Sequence, residues 1–141
     1  MEKIYSKVDK DVLLAITTTF QDFNAPRNET VPASEFIQGA MIRGNDGDAF
    51  RPHKHILKEL NSHYGLHMTK AQECWIVIRG IIEVIVYDLD DTIAQKIRMI
   101  EGSACFLLHG GHAFSCLEDH TCIWEIKTGP YEGQAKDKIF I

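Results

Sequence analysis

The run Arg51-Pro52-His53-Lys54-His55 places two imidazoles one residue apart. In a β-strand, positions i and i+2 share a face, so both rings can reach one ion, although the motif taken alone reads as readily as two exposed strand histidines. Glu73-Cys74-Trp75-Ile76-Val77-Ile78-Arg79-Gly80 sets a carboxylate at the head of an apolar strand that ends on a glycine turn. A carboxylate in that position wants a cation. Between Gly102 and His112 a turn glycine opens a strand, and His109-Gly110-Gly111 then delivers His112, a third imidazole, into the next one. Three neutral imidazoles and one carboxylate leave a net charge of about +1 on a divalent ion, with about two coordination positions open to a ligand. This donor set, His53, His55, Glu73 and His112, suits Mn, Fe, Ni, Co or Zn without choosing between them.

Two further groupings compete for metal. Glu59 follows His55 at a short gap and is a rival carboxylate, but Glu73 is preferred because its offset from Gly80 fixes it on a strand beside the histidine strand. His63 and His67, at i and i+4, form a second pair only if their segment is helical; solvated histidines are the commoner outcome.

Strand alternation nominates the groups that line the site. Arg51 shares parity with His53 and His55, Trp75 with Glu73, and Phe114 with His112. Arg51 is then either a clamp for a substrate carboxylate or phosphate, or a surface arginine at a frayed strand entrance. Trp75 and Phe114 are either plain core aromatics or a sugar-stacking platform. Tyr131, after Gly129-Pro130, lines the mouth, packs on the N-terminal segment, or meets a neighbouring subunit.

The elements that must position these residues read as β. Eight short runs follow one another from Glu35: Glu35 to Arg43, Ala49 to Leu57, Glu73 to Arg79, Ile81 to Asp88, Ala94 to Ile100, Ala104 to Leu108, His112 to Leu117 and Cys122 to Thr128. That number suits a barrel or sandwich. Upstream, apolar residues at Val12, Leu13, Ile16 and Phe20 behind Asp9 suggest a short helix from Asp9 to Phe23. Lys58 to Gln72 does not alternate and reads as a long loop, and Gly129 to Lys138 as a polar, extended tail.

At 141 residues, 45% hydrophobic, the chain is sized for one domain: an N-terminal helical or extended segment, 1–31, packed on a β-barrel, 32–141. A formal charge of −5 argues against a phosphate-binding surface, so nucleic acid is not an expected partner. No apolar run approaches the roughly 20 residues of a membrane span, and MEKIYSKVDK is too polar for a signal peptide, so a cytoplasmic protein without membrane attachment is expected. Cys74, Cys105, Cys116 and Cys122 contain no C-x-x-C pair and read as structural thiols.

Together these motifs resemble those of the cupin superfamily, G-x5-H-x-H-x3-4-E-x6-G and G-x5-P-x-G-x2-H-x3-N, which implies a double-stranded β-helix or jelly-roll barrel, here with the short N-terminal helix added. His53, His55, Glu73, Gly80, Gly102 and His112 match, and the resemblance implies that the His and Glu residues hold one metal ion. The chain departs by placing seventeen residues between His55 and Glu73, by Leu108 in place of the proline, by a second motif one residue short, and by Cys116 in place of the closing asparagine. Ala25-Pro26-Arg27, Glu35-Phe36-Ile37-Gln38 and Glu125-Ile126-Lys127-Thr128-Gly129-Pro130-Tyr131 are further similar to the small cupin-fold metalloproteins of the WbuC type, often encoded beside surface-polysaccharide genes.

That resemblance implies a metal-dependent enzyme acting on a sugar or nucleotide-sugar, isomerase- or epimerase-like, in polysaccharide metabolism. Its alternatives are a non-catalytic small-molecule-binding cupin and an Fe(II)-dependent dioxygenase of a small acid. The expected partners are a small-molecule ligand, with a carbohydrate as the first candidate, and a second copy of the chain in a homodimer, for which Ile4, Tyr5 and Val8 offer apolar surface.

Overall fold

A computed structural model describes residues 1–62 and 65–141 of the chain, and side chains outside 60–68. Among them fourteen strands form. The first half of the chain holds β1 (Glu2–Tyr5), β2 (Leu13–Thr17), β3 (Arg27–Glu29), β4 (Ile37–Gly44), β5 (Ala49–His55), β6 (Leu57–Ser62) and β7 (Gly65–Lys70). The second holds β8 (Glu73–Arg79), β9 (Ile81–Tyr87), β10 (Ile93–Ile100), β11 (Ala104–Leu107), β12 (Gly111–Cys116), β13 (Thr121–Thr128) and β14 (Lys138–Phe140). A 3-10 turn at Phe20–Asp22 and one helical turn, α1 (Gln134–Asp137), are the helical pieces among the described residues, and neither is long or apolar enough to cross a membrane.

Ten strands form two five-stranded antiparallel sheets, in the orders β10-β9-β12-β5-β14 and β11-β8-β13-β4-β3. Their inner faces meet in one apolar cluster: Ile42, Trp75, Val77 and Ile123 come from the second sheet, and Ile82, Val84, Met99 and Phe114 from the first. The alternation that builds this core is plain in β8, where Glu73, Trp75 and Val77 are buried and the residues between them are not. Each fully buried side chain of this size contributes about 1.5–3 kcal/mol of transfer free energy.

Glycine is required at the β8–β9 corner. Gly80 has φ +82°, and a Cβ there would run into Thr121 of the neighbouring strand. Only a residue without a side chain turns the chain that tightly against a packed strand.

The structure corrects four expectations. The two sheets stack as a sandwich and no hydrogen-bonded ladder joins their edges among the described residues, so the barrel is not closed. No helix spans Asp9 to Phe23: Leu13–Thr17 instead pairs with β1, because Val12, Ile16 and the three threonines that follow favour extended backbone when a partner strand is present. Lys58 to Gln72 is not a loop but mostly the hairpin β6–β7, paired from Leu57↔Lys70 to Ser62↔Gly65. Such a ribbon lies outside both sheets and need not bury one face, so it carries no two-residue hydrophobic period to read. The tail is not extended throughout, since Gln134–Asp137 forms the helical turn α1 before Lys138–Phe140 joins the first sheet beside β5.

Candidate metal centre and its cavity

His53 and His55 stand at the end of β5, both buried, and His112 on β12 is the direct cross-strand partner of His53. Three imidazoles therefore come from one sheet. Glu73 begins β8 in the other sheet and reaches across the sandwich to meet them. One donor atom from each of the four residues can be chosen so that all lie within 4.8 Å of one another. The rings of His53 and His112 are 4.5 Å apart between centroids, and His55 lies 5.4 and 5.3 Å from them.

Outer contacts set which nitrogen each ring presents. His53 Nδ1 lies 3.0 Å from the Arg51 carbonyl oxygen, which accepts its proton and leaves Nε2 facing the cluster. His55 Nδ1 lies 3.2 Å from the Asp137 carbonyl oxygen and 3.3 Å from its carboxylate, while Nε2 is 3.0 Å from Glu73 Oε1. A carboxylate behind a metal-binding histidine fixes its tautomer and orientation. Asp137 is itself almost fully buried and is held by Lys58 at 2.9 Å and Lys127 at 3.4 Å.

The electrostatics follow from these contacts. Burial pushes His53 down to about 4, so its ring is neutral at ordinary pH. Burial also acts to lower His55, but Asp137 and Glu73 outweigh it and raise the ring to about 9 in the absence of an ion. Burial of Glu73 acts to raise its carboxyl, and the His112 and His55 imidazoles overcome this and hold it well below the usual carboxylate range.

A divalent ion fits these residues. Glu73 Oε2 and His112 Nε2 are both buried, 3.4 Å apart, and neither has a hydrogen-bond partner. Buried polar atoms are almost always satisfied, and a cation held between this carboxylate oxygen and this imidazole nitrogen would satisfy both. The donor set of three histidines and a carboxylate is a transition-metal set. Glu59, the rival ligand, is exposed on β6 and is not in the cluster. His63 and the side chain of His67 lie outside the described residues.

Through His53, the one cluster residue on its wall, the cluster adjoins a cavity of about 410 Å³ also lined by Trp75, Phe50, Lys127, Tyr131 and Lys138. Trp75 is buried, edge-on to His112 at 5.3 Å and to Phe114 at 4.8 Å. Phe114 is buried and stacked on Phe50 at 4.4 Å, behind the wall rather than on it. Tyr131 lies at the cavity with the Lys127 ammonium over its ring at 4.4 Å.

Arg51 does not line the cavity as its parity suggested. The β5–β12 register slips, with His112 opposite His53 but Phe114 opposite Phe50, so the alternation reverses at this point. Phe50 turns inward to stack on Phe114, while Arg51 is exposed, lies off the cavity wall and covers the Phe140 ring with its guanidinium at 4.0 Å. The sequence reading also missed Asp137 and Lys138. Asp137 ends the single helical turn α1 and Lys138 begins a three-residue strand, and neither element is long enough to establish a period.

All four cysteines are unpaired, Cys116 and Cys122 buried and Cys74 and Cys105 half-buried, and burial raises each thiol, Cys116 to about 11. Inert packing thiols are what this describes.

No protein-family model matches this chain, and no curated protein matches it. Solved structures do. A conserved protein with a double-stranded β-helix domain from Klebsiella pneumoniae superimposes with a TM-score of 0.63 at 10% identity, over 97% of this chain and 96% of that one. The cupin domain of Cnp3 from Schizosaccharomyces pombe gives 0.61 at 12% identity, over 89% and 83%. A variant of oxalate decarboxylase from Bacillus subtilis gives 0.63 at 16% identity over 96% of this chain, which spans 35% of that enzyme's length. Likeness at these identities is likeness of fold, and the fold is that of the cupins.

Proposed function

We propose that the chain is a metal-dependent cupin enzyme that acts on a sugar or nucleotide-sugar as an isomerase or epimerase. The observation that carries the reading is the buried convergence of His53, His55, Glu73 and His112, with His53 on the wall of a cavity large enough for a sugar ring. A bound divalent ion would polarise a carbonyl or enediol of the substrate. The chain supplies the rest. Arg51 O and Asp137 orient the two β5 histidines, Glu73 brings the negative charge, and Trp75 and Phe50 form an apolar wall that keeps bulk water from the ion's face. Tyr131 and Gln134 lie at the same cavity with polar groups suited to hydroxyl recognition.

Conversion of nucleotide-sugars by the metal-loaded chain, followed by proton NMR, tests this. Turnover that disappears in His112→Ala, together with its ion, is the expected result. Binding of a sugar with no conversion of any would leave a recognition module in place of an enzyme. The reading includes a homodimer using the exposed apolar residues of the β1–β2 hairpin, Ile4, Tyr5 and Val8. Light scattering at 16.0 kDa, the mass of one chain, would remove that element.

A further inference from the structure

Strand β14 brings one more charged group to the metal cluster. Lys138 pairs directly with His55 and Phe140 with His53, and directly opposed residues in an antiparallel pair point to the same face. The Lys138 ammonium accordingly lies 3.4 Å from His53 Nε2, on the wall of the cavity. Its neighbours are otherwise committed. Arg27 binds both Glu125 and Glu29 at 2.6 Å, and Asp137 answers Lys58 and Lys127. No carboxylate lies within salt-bridge distance of Lys138 among the described residues, although its side chain is more than half removed from water.

A second observation points the same way. Trp75 forms part of the same wall, is 1% exposed, and its indole N–H has no acceptor. With a divalent ion held by Glu73 as the single anionic ligand, the inner end of the cavity carries two cationic centres and a spare donor against one carboxylate. Close cations in a partly desolvated site are mutually repulsive unless an anion lies between them.

We propose that this cavity selects ligands bearing a carboxylate or phosphate group, and that Lys138 binds that oxyanion beside the metal. The inference rests on the metal reading of the cluster and narrows its substrate class to acidic or phosphorylated molecules. It also moves the anion-binding role from Arg51, which is exposed and does not line the cavity, to a residue of the C-terminal strand.

The test uses the full chain loaded with Mn²⁺ and three sugars of one scaffold: glucose, glucuronate and glucose 6-phosphate. Calorimetry should show at least one acidic sugar binding roughly tenfold or more tighter than glucose, which is the scale of a charge-assisted hydrogen bond. The sugar preferred tells carboxylate from phosphate. Lys138→Met should abolish the preference while keeping its manganese, and Lys138→Arg, which keeps the charge, should retain most of it. Equal binding of all three sugars, no binding of either acidic sugar, or a preference that survives Lys138→Met overturns the proposal. A chain that takes up manganese without charge preference removes this inference alone, and a chain that takes up no metal removes the metal reading with it.

Discussion

His55 is the residue whose protonation the ion must change. In the absence of metal, Asp137 and Glu73 raise it to about 9, whereas His53 sits at about 4 and Glu73 is ionised. A metal ligand must offer a free lone pair, so ion binding below pH 9 displaces the His55 Nε2 proton. The sign is fixed by that: apparent affinity rises as pH rises toward about 9 and then levels off, about tenfold per unit where one proton is released. Calorimetry at pH 7 in two buffers of different ionisation enthalpy should report about one proton per ion. No proton release would mean that His55 is not a ligand. Asp137→Asn should weaken the ion by roughly 10- to 100-fold, because the carboxylate behind the ring orients it.

The strands explain what the sequence disclosed and what it hid. Glu73–Arg79 was legible to the residue, since a strand buried on one face writes its period plainly. The cluster was legible for the same reason: each ligand heads or ends a strand with strong alternation or a glycine corner. Arg51 misled because a register slip is invisible in a pattern of single residues. The β6–β7 ribbon and β14 were illegible for opposite causes, the first lacking a required buried face and the second lacking length. Three substitutions probe the element scale. Glu59→Ala should leave metal content unchanged, while Glu73→Gln should lose the ion. Gly80→Ala should cost more than about 1 kcal/mol in denaturant unfolding, because it adds a Cβ at positive φ against Thr121. A neutral effect would show that the corner relaxes freely.

At the scale of the molecule, two sheets hold four ligands that come from both of them. Glu73 meets the histidine sheet through the packed core and its 3.0 Å contact with His55, and an ion that binds all four ligands staples the sandwich further. Ligand bound to the folded chain alone stabilises it by about 4 kcal/mol at a thousandfold excess over the dissociation constant. The most direct measurement is metal content after equilibrium dialysis of the purified chain against Mn, Fe, Ni, Co and Zn, read by mass spectrometry beside His53→Ala and His112→Ala. One ion per wild-type chain, lost in both variants, is the predicted result. A wild-type chain that retains none of the five metals, or variants that retain as much as wild type, would contradict the metal centre.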